Sequence, residues 1–109
     1  MKNLEAEQLV IAALLTGRLQ AISNLTPADF YRQLHQRIFA AIAHQHVQGF
    51  KTDCVAVADE LKRRGELELC GGDDYLQSLV EGSMDGFFTL DDALQNVHEC
   101  ARLRRLLDS

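Results

Sequence analysis

Apolar residues return every three or four positions along almost the whole chain. Most of these runs open on a helix-capping residue and close on a glycine, which restricts the chain to a set of short helices. Val10, Ala13 and Leu14, with Ile11 and Leu15, mark the first face. Asn3 is placed to cap this helix, and Glu5 and Glu7 sit in its first turn, where carboxylates suit the positive end of the helix dipole. Gly17 is a stop, and Leu19 to Ile22 form a second short turn of helix. Thr26-Pro27-Ala28-Asp29 is a start signal: Thr caps, Pro needs no N–H at the first position, and Asp reaches back. It predicts a helix from Pro27 to about Gln48, breakable near Arg32, with Phe30, Leu34, Ile38, Phe39 and Ile42 on one face and Gly49 at its end.

Thr52 or Asp53 caps the next helix, in which Val55, Ala58 and Leu61 share a face and Gly65 is the stop. Leu67 and Leu69 alternate with Glu66 and Glu68, but a lone strand has nothing to pair with. The expected reading is a loop that pins both leucines into the core. Gly71-Gly72 makes a turn, and Asp73-Asp74 open a short helix carrying Tyr75, Leu76, Leu79 and Val80. A loop from Gly82 to Phe88 follows, with Phe87 and Phe88 expected to fold back on the core. Thr89 then caps a last helix with Leu90, Ala93, Leu94, Val97, Cys100 and Ala101 on one stripe. The fold class is all-α, a compact bundle of about six helices forming one domain over residues 1–109.

Charge and cysteine usage narrow the function. Eleven Lys and Arg against sixteen Asp and Glu give 11 − 16 = −5, the wrong sign for a bulk nucleic-acid surface. The apolar run Leu9 to Leu15 is far shorter than the ~20 residues a membrane helix needs. Acidic residues at the very start exclude a signal peptide. Cys54, Cys70 and Cys100 lie far apart without a CxxC pair, so they read as reduced thiols in a cytoplasmic protein.

A phosphate-cradling loop needs Gly-x-x-x-x-Gly-Lys-Ser/Thr, and none of Lys2, Lys51 and Lys62 follows a glycine. Gly71-Gly72 precedes a helix, but Asp73 and Asp74 would repel an anion there. His44 and His46 do not face one another on a helix, and with His98 and the cysteines they lack zinc-site spacing. His98 and Cys100 point about 200° apart on a helix, too far for a dyad. His35 lies one residue off the apolar stripe and reads as a packed histidine bonding a backbone carbonyl. The pairs Asp73-Asp74 and Asp91-Asp92 fall in first helical turns, where dipole complementarity explains them. Lys62, Arg63 and Arg64, and Arg102, Arg104 and Arg105, read as solvated helix ends. No catalytic, cofactor or metal site is expected: the residues describe a helical interaction module.

The order of segments resembles the N-terminal domain of DnaB-type replicative DNA helicases. Leu4-Glu5-Ala6-Glu7-Gln8 followed by Val10-Ile11-Ala12-Ala13-Leu14-Leu15 is similar to that family's first helix, with Ala12 where the family usually has Gly. Leu25-Thr26-Pro27-Ala28-Asp29-Phe30-Tyr31-Arg32 with His35 and Ile38-Phe39 resembles a second signature. Asp53, Val55, Val57-Ala58 and Glu60-Leu61, then Arg64-Gly65-Glu66-Leu67, resemble a third. Gly71-Gly72 with Tyr75-Leu76 and Leu79 resembles a fourth, and Leu103-Arg104-Arg105-Leu106-Leu107 the helix that opens the family's helical hairpin.

The resemblance implies an interaction and oligomerisation domain in the collar of a hexameric ring, a trimer of dimers that docks primase, with a helicase loader as a further partner. It implies no direct DNA contact and no membrane. ATP and magnesium belong to a separate motor domain that drives unwinding in the parent protein. The partner-facing positions it implies are Glu5, Tyr75 and Leu107. Glu5 also has a structural explanation as helix-end charge, and Tyr75 one as half-buried core packing. The chain ends at Ser109, about where the second hairpin arm would begin, so a monomer or weak dimer is the expected state. A free-standing helicase-binding adaptor or decoy, of phage or plasmid origin, is one alternative function. A thiol- or metal-binding helical protein is another.

Overall fold

The computed structural model describes residues 4–82 and 89–108. Among them the elements are α1 (Leu4–Leu15), α2 (Gln33–Val47), α3 (Cys54–Arg63), α4 (Gly72–Gly82) and α5 (Leu90–Asp108), with 3₁₀ turns at Leu19–Asn24, Pro27–Asp29 and Glu68–Cys70. The described residues carry no strand. The expected Asn3 cap and the packing of Phe87 and Phe88 lie outside the described residues.

Helix α1 is the axis of the bundle. Ala6, Val10, Ile11, Ala12, Ala13, Leu14 and Leu15 are all buried, so the helix is covered on nearly every side, as expected of a helix that is apolar all round. It packs against α5, α4 and α2, while α3 packs against α2 and α4. The stripes predicted for α2 and α5 hold. Ile38, Phe39 and Ile42 are buried, as are Ala93, Val97, Cys100 and Ala101. Phe30 meets Phe39 with ring centroids 5.3 Å apart. The Cα radius of gyration is 13.1 Å, near the ~13 Å of a compact chain of about this size.

Helix ends follow the sequence. The Asp53 carboxylate accepts the Ala56 N–H at 2.9 Å, and the Thr89 hydroxyl accepts the Asp92 N–H at 3.1 Å. Helices α2 and α3 close with the same motif: the Phe50 N–H reaches Gln45 O at 2.8 Å, and the Glu66 N–H reaches Leu61 O at 2.8 Å. Each bond steps over a glycine at positive φ, Gly49 and Gly65.

Three expectations are corrected. The helix expected from Pro27 is a single 3₁₀ turn, after which Phe30 and Arg32 are extended and α2 starts only at Gln33. The extended backbone frees the Tyr31 N–H for a tertiary acceptor, described below. Second, Leu69 is 61% exposed. The segment is a 3₁₀ turn, in which positions three apart eclipse; half-buried Leu67 and buried Cys70 therefore face inward and Leu69 faces out. Third, Val55 is 77% exposed, and Val57 takes the core position with Ala58 and Leu61.

Helix α3 ends in a charge cluster. Glu60 accepts Arg63 at 2.8 Å and Arg64 at 2.7 Å, and Asp59 accepts Arg63 at 2.9 Å. Hydrogen bonds from Arg64 and Arg63 hold the Glu60 carboxyl below its ordinary 4.5. A carboxyl depressed on folding stabilises the native state above its unfolded pKa and loses that contribution as pH falls through the folded value. Glu60→Gln is therefore expected to lower the urea midpoint modestly near pH 7, since the arginines are solvent-screened. The difference from wild type should shrink progressively below about pH 4.5. A pH-independent difference would refute this assignment.

Candidate docking site

Tyr75 stands in the first turn of α4, directly after the Gly71-Gly72 turn, and is half-buried. Its hydroxyl lies 2.7 Å from His35 Nε2, and the Gln8 side-chain amide donates to the same oxygen at 3.4 Å. His35, on α2, is fully buried. Its Nδ1 lies 2.8 Å from Glu7 Oε1 on α1. Glu7 is 1% exposed, and its other oxygen accepts the Tyr31 N–H at 2.7 Å. Every donor finds an acceptor if His35 is neutral, with Nδ1–H given to the Glu7 carboxylate and Nε2 accepting the phenol proton. The Phe30 ring edge, with its centroid 6.5 Å from that of His35, and the Tyr75 ring at 6.0 Å flank the imidazole.

Three helices thus meet at one carboxylate–imidazole–phenol chain. The order matches that of an orienting carboxylate, a base and a nucleophile. The imidazole is sealed in the core, however, and the phenol is engaged from inside by His35 and Gln8. The chain fixes where Tyr75 stands. The sequence reading placed Glu7 at a helix end as a dipole partner and gave His35 a backbone carbonyl, and both are corrected. One signal was present: Glu7 lies three and four residues before Val10 and Ile11, on the apolar face of α1.

Glu5 is exposed in the first turn of α1. It lies one turn before Gln8, which places it on the side of α1 that reaches Tyr75. Leu107 is 75% exposed in the last turn of α5, one turn beyond Arg104. The sequence reads the arginines there as a solvated helix end; Arg105 is indeed exposed, but it and Arg104 are also tied to the body of the domain. Arg105 pairs with the buried Asp29 carboxylate at 2.7 Å, and Arg104 donates to Asp29 O at 2.9 Å while lying 5.5 Å from the Tyr31 ring centroid.

Among the described residues, no three His, Cys, Asp or Glu side chains gather as a metal site. Burial pushes the Cys70 thiol up to about 11, and burial followed by the Asp53 charge raises Cys54. These two thiols are held protonated at neutral pH, unlike the thiolates that attack electrophiles or bind metals. His44, His46 and His98 are exposed. His98 lines a shallow recess with Gln95, Asn96, Glu99 and Arg102, on the face of α5 away from buried Cys100. No helix of the described residues is long and apolar enough to cross a membrane.

The family model described as DnaB-like helicase N terminal domain matches residues 1–102. The chain belongs to that family. It is 34% identical to the replicative DNA helicase DnaB of Mycobacterium leprae over 99% of its own length and 18% of the relative's. It is 42% identical to DnaB of Rhodothermus marinus over 70% of its length and 8% of the relative's. With DnaB of Geobacillus stearothermophilus the identity is 34%, over 97% of this chain and 24% of that protein. The chain thus spans a quarter or less of each of these relatives. The crystal structure of the N-terminal domain of DnaB helicase from Mycobacterium tuberculosis superposes with a TM-score of 0.88 at 36% identity, covering 98% of this chain and 78% of that one. The resemblance read from the sequence motifs, and the all-α DnaB-like fold that came with it, are borne out.

Proposed function

We propose that this chain is a collar module of a replicative DNA helicase: it joins protomers into the ring and offers primase a rigid surface, while ATP-driven unwinding belongs to a motor domain of a longer parent protein. The observation that supports this reading most is the likeness to a DnaB N-terminal domain along 98% of the chain. The internal architecture agrees with it. Glu7 and His35, the buried ionisable groups with the most catalytic-looking arrangement, are spent on positioning Tyr75. That suits a docking piece better than a reaction site. ATP and magnesium have their place in the motor, and a loader is a further partner of the parent ring.

In this reading Glu5 and Tyr75 form one partner-facing patch, joined through Gln8. Leu107 and Leu106, 75% and 60% exposed at the end of α5, form a second apolar contact used between protomers. Titration calorimetry of this domain against the C-terminal domain of the cognate primase should show binding without ATP. Substituting Tyr75 by Ala should weaken it at least about tenfold, the effect of a ~1.4 kcal/mol contact loss. Absence of heat at high micromolar concentrations would reject the primase reading.

A further inference from the structure

The stretch Asp29–Arg32, which leads from the end of the 3₁₀ turn to the start of α2, is gripped from three elements. Helix α1 holds it where the Tyr31 N–H donates to Glu7 at 2.7 Å. Helix α2 holds it where the Gln36 amide donates to Phe30 O at 2.8 Å. Helix α5 holds it through Arg104 on Asp29 O at 2.9 Å and Arg105 on the Asp29 carboxylate at 2.7 Å. The second Asp29 oxygen is occupied by the Thr26 N–H at 2.8 Å, which locks the turn that delivers Asp29 to α5. Asp29, Phe30 and Tyr31 are consecutive, so the anchors to α5, α2 and α1 lie on adjacent residues. A continuous polar line therefore runs from the half-buried Tyr75 hydroxyl through His35 and Glu7 to the strap, and from the strap to the end of α5.

We propose that this strap couples the two surfaces: the hydrogen bonding of Tyr75 sets how firmly residues 104–107 of α5 are seated, and a ligand that engages Tyr75 loosens or tightens the helix that carries Leu106 and Leu107. The coupling is a property of the chain itself and does not depend on which partner docks. At the end of α5, Arg104 and Arg105 reach the strap, and Leu106 and Leu107 are exposed.

Hydrogen exchange on the intact chain tests it without any partner, so its outcome is independent of primase binding. Tyr75→Phe removes only the hydroxyl. It should speed amide exchange at residues 104–107 by at least about threefold while residues 58–61 of α3, a helix that packs on α2 and α4, stay within about twofold. Coupling is reciprocal, so Arg104→Ala should move the His35 ring nitrogen resonances. Unchanged exchange at 104–107 in Tyr75→Phe, an equal rise in α3, or His35 resonances indifferent to Arg104→Ala would each overturn the proposal.

Discussion

Replacing Glu7 by Ala should lower the unfolding free energy by about 2–6 kcal/mol, the cost of two buried donors left without acceptors at about 1–3 kcal/mol each. The carboxylate is 1% exposed and accepts both the Tyr31 N–H and His35 Nδ1. Truncation leaves two buried donors without acceptors and a void between α1 and α2. It also removes the group that orients His35 toward Tyr75. A domain of this size is stable by only about 5–15 kcal/mol, so a large part of that margin goes. Glu7→Gln keeps the shape and one carbonyl oxygen. It should cost less, about 1–3 kcal/mol, because one donor loses its acceptor and the carboxylate charge is gone. Urea titrations near pH 7 followed by circular dichroism rank the three proteins. If Ala and Gln both fall within about 1 kcal/mol of wild type, the chain of contacts from Glu7 to Tyr75 contributes little to the fold.

What the sequence could reveal was governed by the range of the interactions involved. Helices and their ends are local: the Asp53 cap, the Thr89 cap and the glycine after each of α2 and α3 act within five residues, and each was readable. The stripes of α2 and α5 follow from three- and four-residue spacing. Misreadings occurred where tertiary partners decide. Thr26-Pro27-Ala28-Asp29 is a good helix start, yet the backbone opens after Asp29, where the Tyr31 N–H is taken by Glu7, 24 positions earlier. Arg104 and Arg105 suit a helix C-terminus by local rules, but they reach Asp29 some 75 positions away. Alternation at Leu67 and Leu69 suggests two buried residues, whereas the period of a 3₁₀ turn faces Leu67 and Cys70 inward. The site was half legible. Tyr75 entered through family resemblance, whereas the Glu7–His35 support beneath it required α1 and α2 to be brought together.

Gly71 gives the second large effect, because two separate penalties fall on one position. Its φ is +89° and an added Cβ would stand 2.7 Å from Tyr75 Cβ and 3.1 Å from Tyr75 Cγ. The left-handed conformation alone costs an L-residue about 1–2 kcal/mol. The close approach is to an atom fixed to the α4 backbone, so it cannot be relieved by rotating a side chain, and overpacking of this kind adds about 1–3 kcal/mol. Gly71→Ala should therefore destabilise by roughly 2–5 kcal/mol, the sum of those two ranges. Gly72 separates the terms: its φ is +73° and nothing lies within 4 Å of its added Cβ, so Gly72→Ala should show the conformational cost alone, about 1–2 kcal/mol. The excess at Gly71 is the clash with Tyr75. Relieving it means moving the phenol away from His35, so the His35 ring resonances should shift in Gly71→Ala and hold in Gly72→Ala. Equal denaturation midpoints for the two alanine variants, with His35 unmoved in both, would mean that the turn and the phenol are not in the contact described.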